Sequence, residues 1–209
     1  MSRLDEIRQY VIDGNQDQTQ QLVKLALSDK LPPEQILKEG LISAMTEVGR
    51  RFECAEFYVP EMLVSARAMK GGLAILRPYL AEANVKAVGR VVIGTVQGDL
   101  HDIGKNLVVM MLEGAGFEVI DLGTDVSAEK YTAAVKANQP QIVACSALIT
   151  TTMPRMESVI SALKEAGLRE GVKVMVGGAP VTDKYASEIG ADGYAPDAAA
   201  AAACAKKLL

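Results

Sequence analysis

The single histidine of the chain, His101, lies in a segment whose residues could hold a metal. That segment reads GTVQGDLHDIGKNLV over residues 94–108, with Asp99 shortly before the histidine and Gly104 shortly after it. A neutral imidazole binds a metal through one ring nitrogen, and a carboxylate commonly accepts a hydrogen bond from the other N–H. The spacing therefore predicts that Asp99 orients His101 as a metal ligand.

One histidine does not make a site for a bare metal ion. Zinc and similar ions need several protein ligands, and the three cysteines, Cys54, Cys145 and Cys204, lie far apart without a CxxC pair. A single protein ligand suits a metal that brings its other ligands with it, as in a macrocyclic cofactor. The plainer alternative is that His101 is a hydrogen-bonded surface residue. A dinucleotide site is not supported, because the third glycine of that motif is missing after residues 94–98.

The second half of the chain must position this loop. Short apolar runs alternate there with helix-like stretches, which predicts a parallel sheet with helices on both faces. We expect a flavodoxin-like strand order, and such sheets bind ligands at the carboxyl ends of their strands. The predicted strands are 91–96, 117–123, 142–148, 172–178 and 192–195, and the predicted helices are 104–115, 127–138, 152–166, 182–189 and 197–208. His101 follows the first strand, at the edge where a ligand is expected.

Residues 1–80 have a helical period instead. One apolar stripe consists of Leu37, Leu41, Met45, Val48 and Phe52. A second stripe follows Pro60, and two weaker helices are expected at 4–12 and 17–27, so we predict a four-helix bundle. The polar stretch at 81–89 is the expected linker.

The domain boundary is predicted inside that linker. We expect a helical domain at 1–85 and an α/β domain at 86–209. Each is large enough to bury a core of its own.

Charge and composition argue against several classes of partner. The net charge is −4 without a basic stripe, and the chain has no Trp, so nucleic acid is not expected. The apolar runs are too short to span a bilayer, and the first residues, MSRLDEIRQ, do not resemble a signal peptide. Free thiols suit a reducing compartment, so we expect a cytoplasmic protein.

Three segments at predicted strand ends resemble the motifs of cobalamin-binding domains. GDLHDIG matches their DxHxxG motif, SALITTT (146–152) resembles their Ser-x-Leu segment, and VGGAPV (176–181) resembles their paired glycines. Residues 47–73 are similar to the helical cap that precedes the cobalamin domain in methionine synthase and in methylamine or methanol corrinoid proteins. The chain thus resembles the small stand-alone corrinoid proteins over nearly its whole length. This resemblance implies an α/β fold, with an N-terminal four-helix bundle cap followed by a flavodoxin-like (Rossmann-type) five-stranded parallel sheet.

The resemblance also implies that the chain binds one cobalamin or related corrinoid. His101 would be the lower ligand of the cobalt, in place of the cofactor's own benzimidazole, and Asp99 would hydrogen-bond this histidine. Methionine synthase extends the pair to a serine hydroxyl, and the corresponding position here is Thr152. A hydroxyl is kept, but the added methyl group and the stiffer χ1 could alter its reach.

Further positions are implied to contact the cofactor. Those in the motif are Gly98, Asp99, Leu100, His101, Asp102, Ile103 and Gly104. Those along the slot for the nucleotide tail are Ser146, Leu148, Thr150, Gly177, Gly178, Ala179, Tyr194, Ala195 and Ala198. In the cap, Phe52 and Val59 fall at positions that shield the upper face, although the place of Phe52 on an apolar stripe also fits a bundle-core residue.

The function implied by the resemblance is methyl carriage. The protein would take a methyl group on cobalt from a substrate-specific methyltransferase and present it to a second methyltransferase, whose acceptor is a thiol or tetrahydrofolate. A reductive activation protein is a further implied partner, whereas nucleic acid and membrane are not. We expect a subunit of a methyltransferase system that is not catalytic alone. The methyl donor is left open between methylamine, methanol, glycine betaine and an aryl methyl ether.

Three other protein classes share parts of this pattern. A B12-dependent regulator needs a DNA-binding module, for which 209 residues leave no room. The cobalamin subunit of a radical mutase lacks the helical cap. A flavodoxin-like response or redox domain does not account for His101 and Asp99.

Overall fold

A computed structural model of the chain describes residues 2–209, which divide into two compact units. The first unit ends at Ala87 and also includes Glu113–Gly116, and the rest of the chain from Val88 onward forms the second. The division lies within the predicted linker, although α5 continues to Glu82 inside it. The assignment of the two units as a cap and a cofactor domain stays a prediction.

The first unit is built from helices. In chain order these are α1 (Arg3–Ile12), α2 (Gln16–Ser28), α3 (Pro33–Gln35), a π-helical segment (Ile36–Ile42), α4 (Ser43–Glu53) and α5 (Val59–Glu82). The segments from α3 to α4 follow one another without a break, so they correspond to one predicted helix. Ser2 caps α1 in a capping box with Asp5. Pro60 lies in the first turn of α5, where its missing N–H is not needed.

Apolar periodicity did not predict the π-helical segment. This segment buries Ile36, Gly40 and Leu41, whereas Leu37, the first residue of the predicted stripe, is only half-buried. A Cβ atom on Gly40 would lie 3.1 Å from Cγ2 of Ile7 in α1. The wider turn thus shifts the buried face at the point where α1 packs closely against this helix.

The second unit is an α/β layer structure. Its strands are β1 (Arg90–Thr95), β2 (Glu118–Asp121), β3 (Ile142–Ser146), β4 (Lys173–Gly177) and β5 (Gly193–Ala195). Its helices are α6 (Ile103–Gly114), α7 (Ala128–Asn138), α8 (Pro154–Glu165), α9 (Asp183–Glu188) and α10 (Ala198–Leu208). Over residues 2–209 the strands form one parallel sheet in the order β2-β1-β3-β4-β5. This is the flavodoxin-like order, so the predicted fold class is confirmed.

The sheet brings several loops to one edge. Thr95, Ser146, Gly177 and Ala195 stand side by side in the register of β1, β3, β4 and β5. The strand order reverses between β1 and β3, which is where such sheets bind ligands.

Among the helices of residues 2–209, none combines the length and the apolarity needed to cross a membrane.

Candidate functional site

The loop between β1 and α6 carries Asp99 and His101 at the carboxyl edge of the sheet. The chain turns directly after β1, where the N–H of Asp99 donates to the carbonyl of Val96 over 3.1 Å. Gly98 has a φ of +83°, a left-handed conformation that glycine adopts without strain. This turn buries the side chain of Asp99 and leaves 53% of the His101 side chain exposed.

The carboxylate of Asp99 accepts hydrogen bonds from both sides. Its Oδ1 lies 2.7 Å from Nδ1 of His101 and 3.1 Å from the His101 backbone N–H. Its Oδ2 accepts from the backbone N–H of Leu148 at 2.8 Å and from Oγ1 of Thr152 at 2.9 Å. Asp99 therefore joins the loop after β1 to the loop after β3.

These donors keep the carboxylate of Asp99 ionised. Burial of Asp99 by itself would raise its pKa, but the hydrogen bonds from Leu148, His101 and Thr152 outweigh burial and hold the pKa well below the usual range of aspartate. Because an ionised carboxylate only accepts, the proton between the two side chains lies on Nδ1 of His101. Nε2 of the neutral imidazole then remains unprotonated and available as a metal ligand.

The extra methyl group of Thr152 does not prevent its hydroxyl from reaching Asp99. Oγ1 lies 2.9 Å from the Asp99 carboxylate and 2.9 Å from the carbonyl of Ile149. The methyl carbon points toward the loop after β1, since a Cβ on Gly98 would lie 3.6 Å from it. The hydroxyl contact is thus kept with threonine in place of the serine of methionine synthase.

Apolar side chains are exposed on the two loops that Asp99 joins and at the start of α6. Leu100 and Ile103 are 73% and 78% exposed, and Leu148 and Ile149 are 44% and 40% exposed. A Cβ atom on Gly104 would meet nothing within 4 Å. A single imidazole donor among exposed apolar side chains fits a metal held in a large macrocycle, whose ring would cover these side chains.

The two glycines at the carboxyl end of β4 have a role in the fold itself. Gly178 has a φ of +131°, and a Cβ atom there would lie 1.9 Å from the carbonyl oxygen of Ala147. A Cβ atom on Gly177 would lie 2.9 Å from the carbonyl oxygen of Ala195. The close approach of neighbouring strand ends therefore already requires glycine, and contact of these glycines with a nucleotide tail stays a prediction.

The other residues predicted for the slot differ in exposure. Thr150 and Ala179 are exposed, and Ser146 and Tyr194 are half-buried. Ala195 and Ala198 are buried, so their methyl groups offer almost no surface to a ligand. A cofactor contact at any of these positions stays a prediction.

Phe52 and Val59 belong to the first unit and flank the loop between α4 and α5. Phe52 is half-buried, whereas Leu41 and Met45 on the same stripe are almost fully buried. Val59, the first residue of α5, is 37% exposed. Both side chains thus present surface, and their predicted role as a shield stays a prediction.

Several residues that support the loop after β1 were missed in the sequence. Oγ1 of Thr95 donates to the His101 carbonyl at 2.9 Å, and Asp125 accepts from the backbone of Gly98. Lys105, only 2% exposed at its side chain, lies 2.5 Å from Asp121 at the end of β2. Their only signal is that they lie near the carboxyl ends of β1 and β2 or at the start of α6, which does not show which side chain turns toward the loop.

Comparison with known families agrees with this geometry. Residues 89–203 match the family described as B12 binding domain, and residues 3–77 match a second family with the same description. The chain is 42% identical to a corrinoid protein of Desulfitobacterium hafniense strain Y51, over 100% of the chain and 98% of the relative. It is 44% identical to the dimethylamine corrinoid protein of Methanosarcina barkeri, over 99% and 97%.

Solved structures give the same result. A cobalamin-binding protein from Desulfitobacterium hafniense DCB-2 matches with a TM-score of 0.83 and 31% identity, over 99% of this chain and 98% of that one. A chain of the methanol:cobalamin methyltransferase complex from Methanosarcina barkeri matches with a TM-score of 0.86 and 31% identity, over 96% and 77%. With both halves matched and relatives above 40% identity along the whole length, the chain belongs to the corrinoid proteins, and its cofactor is cobalamin or a related corrinoid.

Proposed function

We propose that this protein carries a methyl group between two methyltransferases on a corrinoid whose cobalt takes His101 as its lower ligand. The observation that carries the proposal is the Asp99–His101 pair. Nδ1 lies 2.7 Å from an ionised carboxylate, and the exposed side chain offers its other ring nitrogen to a ligand. A histidine held in this way is a neutral donor with a fixed orientation.

The residues around the pair bind and orient the cofactor. When bound, the corrinoid supplies a cobalt centre that accepts and donates methyl groups. Asp99 keeps the proton on Nδ1 of His101, and the hydroxyl of Thr152 and the N–H of Leu148 keep Asp99 ionised. The exposed side chains of Leu100 and Ile103 offer apolar surface that a bound corrinoid would cover. The chain itself is a carrier, and catalysis of methyl transfer belongs to its partners.

One of the proposed partners is supported by a relative. One solved relative is part of a methanol:cobalamin methyltransferase complex, so we infer that a substrate-specific methyltransferase docks on this chain as well. A second methyltransferase with a thiol or tetrahydrofolate acceptor, and a reductive activation protein, complete the proposed system. We place it in the cytoplasm, since Cys54, Cys145 and Cys204 are free thiols.

A methylamine is the donor that the sequence relatives favour. Relatives at 40–44% identity are named dimethylamine and trimethylamine corrinoid proteins. Methanol is the second candidate, from the solved methanol complex. A panel of purified donor methyltransferases, each assayed for methylation of the loaded protein, decides between them, and transfer from only a betaine or aryl ether enzyme would exclude both.

Electron paramagnetic resonance of the Co(II) form tests the ligand. Since His101 is the only histidine, protein labelled with ¹⁵N-histidine should change the nitrogen coupling from a triplet to a doublet. His101→Ala should lose that protein-derived coupling. Asn106→Ala is the control, because Asn106 lies in α6, directly after the loop of His101, and its side chain hydrogen-bonds Lys105 and Asp102 but not the imidazole. A triplet that persists in the labelled protein would show that the cofactor's own base is the ligand, and would refute the proposal.

A further inference from the structure

One residue, Asp125, links the loop between β2 and α7 to the loop that carries His101. The carboxylate of Asp125 accepts a hydrogen bond from the N–H of Gly98 at 2.8 Å. The N–H of Asp125 donates to the carbonyl of Asp99 at 3.0 Å. Asp125 thus bonds both ends of the Gly98–Asp99 dipeptide, without touching the imidazole.

The backbone of Asp125 is adapted to this contact. Its φ is +51°, a left-handed conformation that most side chains avoid and that aspartate and asparagine tolerate. Gly98 on the opposite loop has a φ of +83°. Two turns in the left-handed region therefore face each other, and both the donor and the acceptor of Asp125 are used.

The other end of the same stretch is also held. Oγ1 of Thr95, a fully buried side chain at the end of β1, donates to the carbonyl of His101 at 2.9 Å. Residues 99–101 are thus fixed at their first and last carbonyl groups. The direction of the Asp99 side chain follows from this backbone, and the Nδ1 contact of His101 follows from the Asp99 carboxylate.

We propose that Asp125 is a positioning residue for His101: it fixes the Gly98–Asp99 backbone so that the Asp99 carboxylate meets Nδ1 and Nε2 faces the cofactor. This inference rests on the proposed ligand role of His101. If Asp125 only stabilised its own turn, replacing it would leave the imidazole of His101 unchanged. The two roles separate by measurement, because the single histidine gives one set of ring nitrogen signals.

The experiment compares three variants of the full chain with wild type, without cofactor. Asp125→Gly keeps the left-handed turn and removes the acceptor, while Asp125→Asn keeps both the turn and an acceptor oxygen. Asn84→Gly is the matched control, since Asn84 also has a left-handed φ, +53°, and lies in the first unit. The readouts are the ring ¹⁵N shifts of His101, the exchange rate of the Gly98 amide, and the melting temperature.

Asp125→Gly should speed exchange of the Gly98 amide about tenfold or more, the scale of losing a hydrogen bond to a charged acceptor. It should also lower the fraction of the Nδ1–H tautomer of His101. Asp125→Asn and Asn84→Gly should stay close to wild type in both. Faster Gly98 exchange with unchanged ring shifts would show that Asp125 supports the loop but does not position His101, and unchanged exchange would overturn the contact itself.

The same variants then receive hydroxocobalamin, and the Co(II) form is examined for coupling to ¹⁵N-histidine. Weaker or heterogeneous coupling in Asp125→Gly, beside normal coupling in Asp125→Asn, supports the positioning role. Shifted ring signals in Asp125→Gly together with no histidine coupling in wild type would overturn the ligand role of His101 and leave the positioning by Asp125 intact. The two failures are therefore distinguishable.

Discussion

The carboxylate of Asp99 has a donor for each of its lone-pair directions. Two hydrogen bonds come from His101, one from the backbone of Leu148 and one from the hydroxyl of Thr152. Three of these donors are neutral backbone or hydroxyl groups that cannot accept a proton in return. Asp99 therefore stays ionised, and its carboxylate acts only as an acceptor toward Nδ1 of His101.

Thr152 can be tested by a nearly isosteric change. Thr152→Val removes the hydroxyl from a buried carboxylate and should destabilise the apoprotein by about 1.5–3 kcal/mol, the scale of a hydrogen bond to a charged group. Thr152→Ser keeps the hydroxyl and should cost much less. Urea unfolding at neutral pH measures both, and equal losses would show that packing of the methyl group matters more than the hydroxyl.

The same variant has an expected pH dependence. Because the folded pKa of Asp99 is lowered, its ionisation contributes stability above the unfolded pKa of about 3.9, and this contribution is lost as pH falls through the folded pKa. Thr152→Val removes one cause of the lowering, so the loss should be smaller in total. The variant's unfolding free energy should therefore change less than that of wild type between neutral pH and a pH below the folded pKa of Asp99, where the two curves separate. Parallel curves would argue that Thr152 does not act on Asp99.

Substitutions at two glycines of the carboxyl edge test the fold and the binding of the cofactor separately. Gly178→Ala places a Cβ atom against the Ala147 carbonyl at a positive φ, so it should unfold the second unit or lower its stability by several kcal/mol. Gly104→Ala meets open space in the first turn of α6 and should leave the apoprotein as stable or about 0.5–1 kcal/mol more stable. Gly104→Ala should nonetheless weaken binding of hydroxocobalamin, measured by absorbance titration. Wild-type affinity would show that the cofactor does not approach Gly104.

At the scale of elements, periodicity predicted nearly all helices and strands. The five strands lie inside or within a residue of the predicted segments, because buried parallel strands read as continuous apolar runs. The π-helical segment Ile36–Ile42 was not predictable, since it depends on the fit of Gly40 against Ile7 of another helix. Asp125 was missed for a similar reason: it meets Gly98 through the sheet, 27 residues away in the chain.

The buried strand β3 gives a prediction about thiol chemistry. Burial raises the pKa of Cys145 to about 12, although a hydrogen bond with Tyr131 opposes this. Its thiol should therefore stay protonated and unreactive at about pH 8, while the exposed Cys54 reacts with iodoacetamide. Mass spectrometry of the alkylated native and urea-unfolded proteins measures this. Rapid labelling of Cys145 in the native protein would mean that β3 opens locally.

At the scale of the whole molecule, the chain combines a helical unit with a unit that carries His101. In the first unit, Arg50 of α4 forms ion pairs with Glu47 of the same helix and with Glu56 of the loop between α4 and α5. These ion pairs, with Arg51 lying 5.1 Å from the ring centre of Phe57, give that loop a defined shape. Phe52 and Val59 flank this loop and present apolar surface, which suits their predicted role as a shield.

Photolysis of the methylated, loaded protein tests that shield. An apolar cover keeps water away from the reactive bond and confines the fragments formed by light, so removing it should speed photolysis. Phe52→Ala should therefore photolyse faster than wild type. Since Phe52 is half-buried, the melting temperature of the Phe52→Ala protein should fall less than after loss of a fully buried phenylalanine, which costs about 3–5 kcal/mol. Tyr10→Ala is the matched control, because Tyr10 is also a half-buried aromatic residue of the first unit and lies in α1, away from this loop. A Phe52→Ala protein that melts much lower but photolyses like wild type would make Phe52 a core residue of the bundle and remove it from the shield.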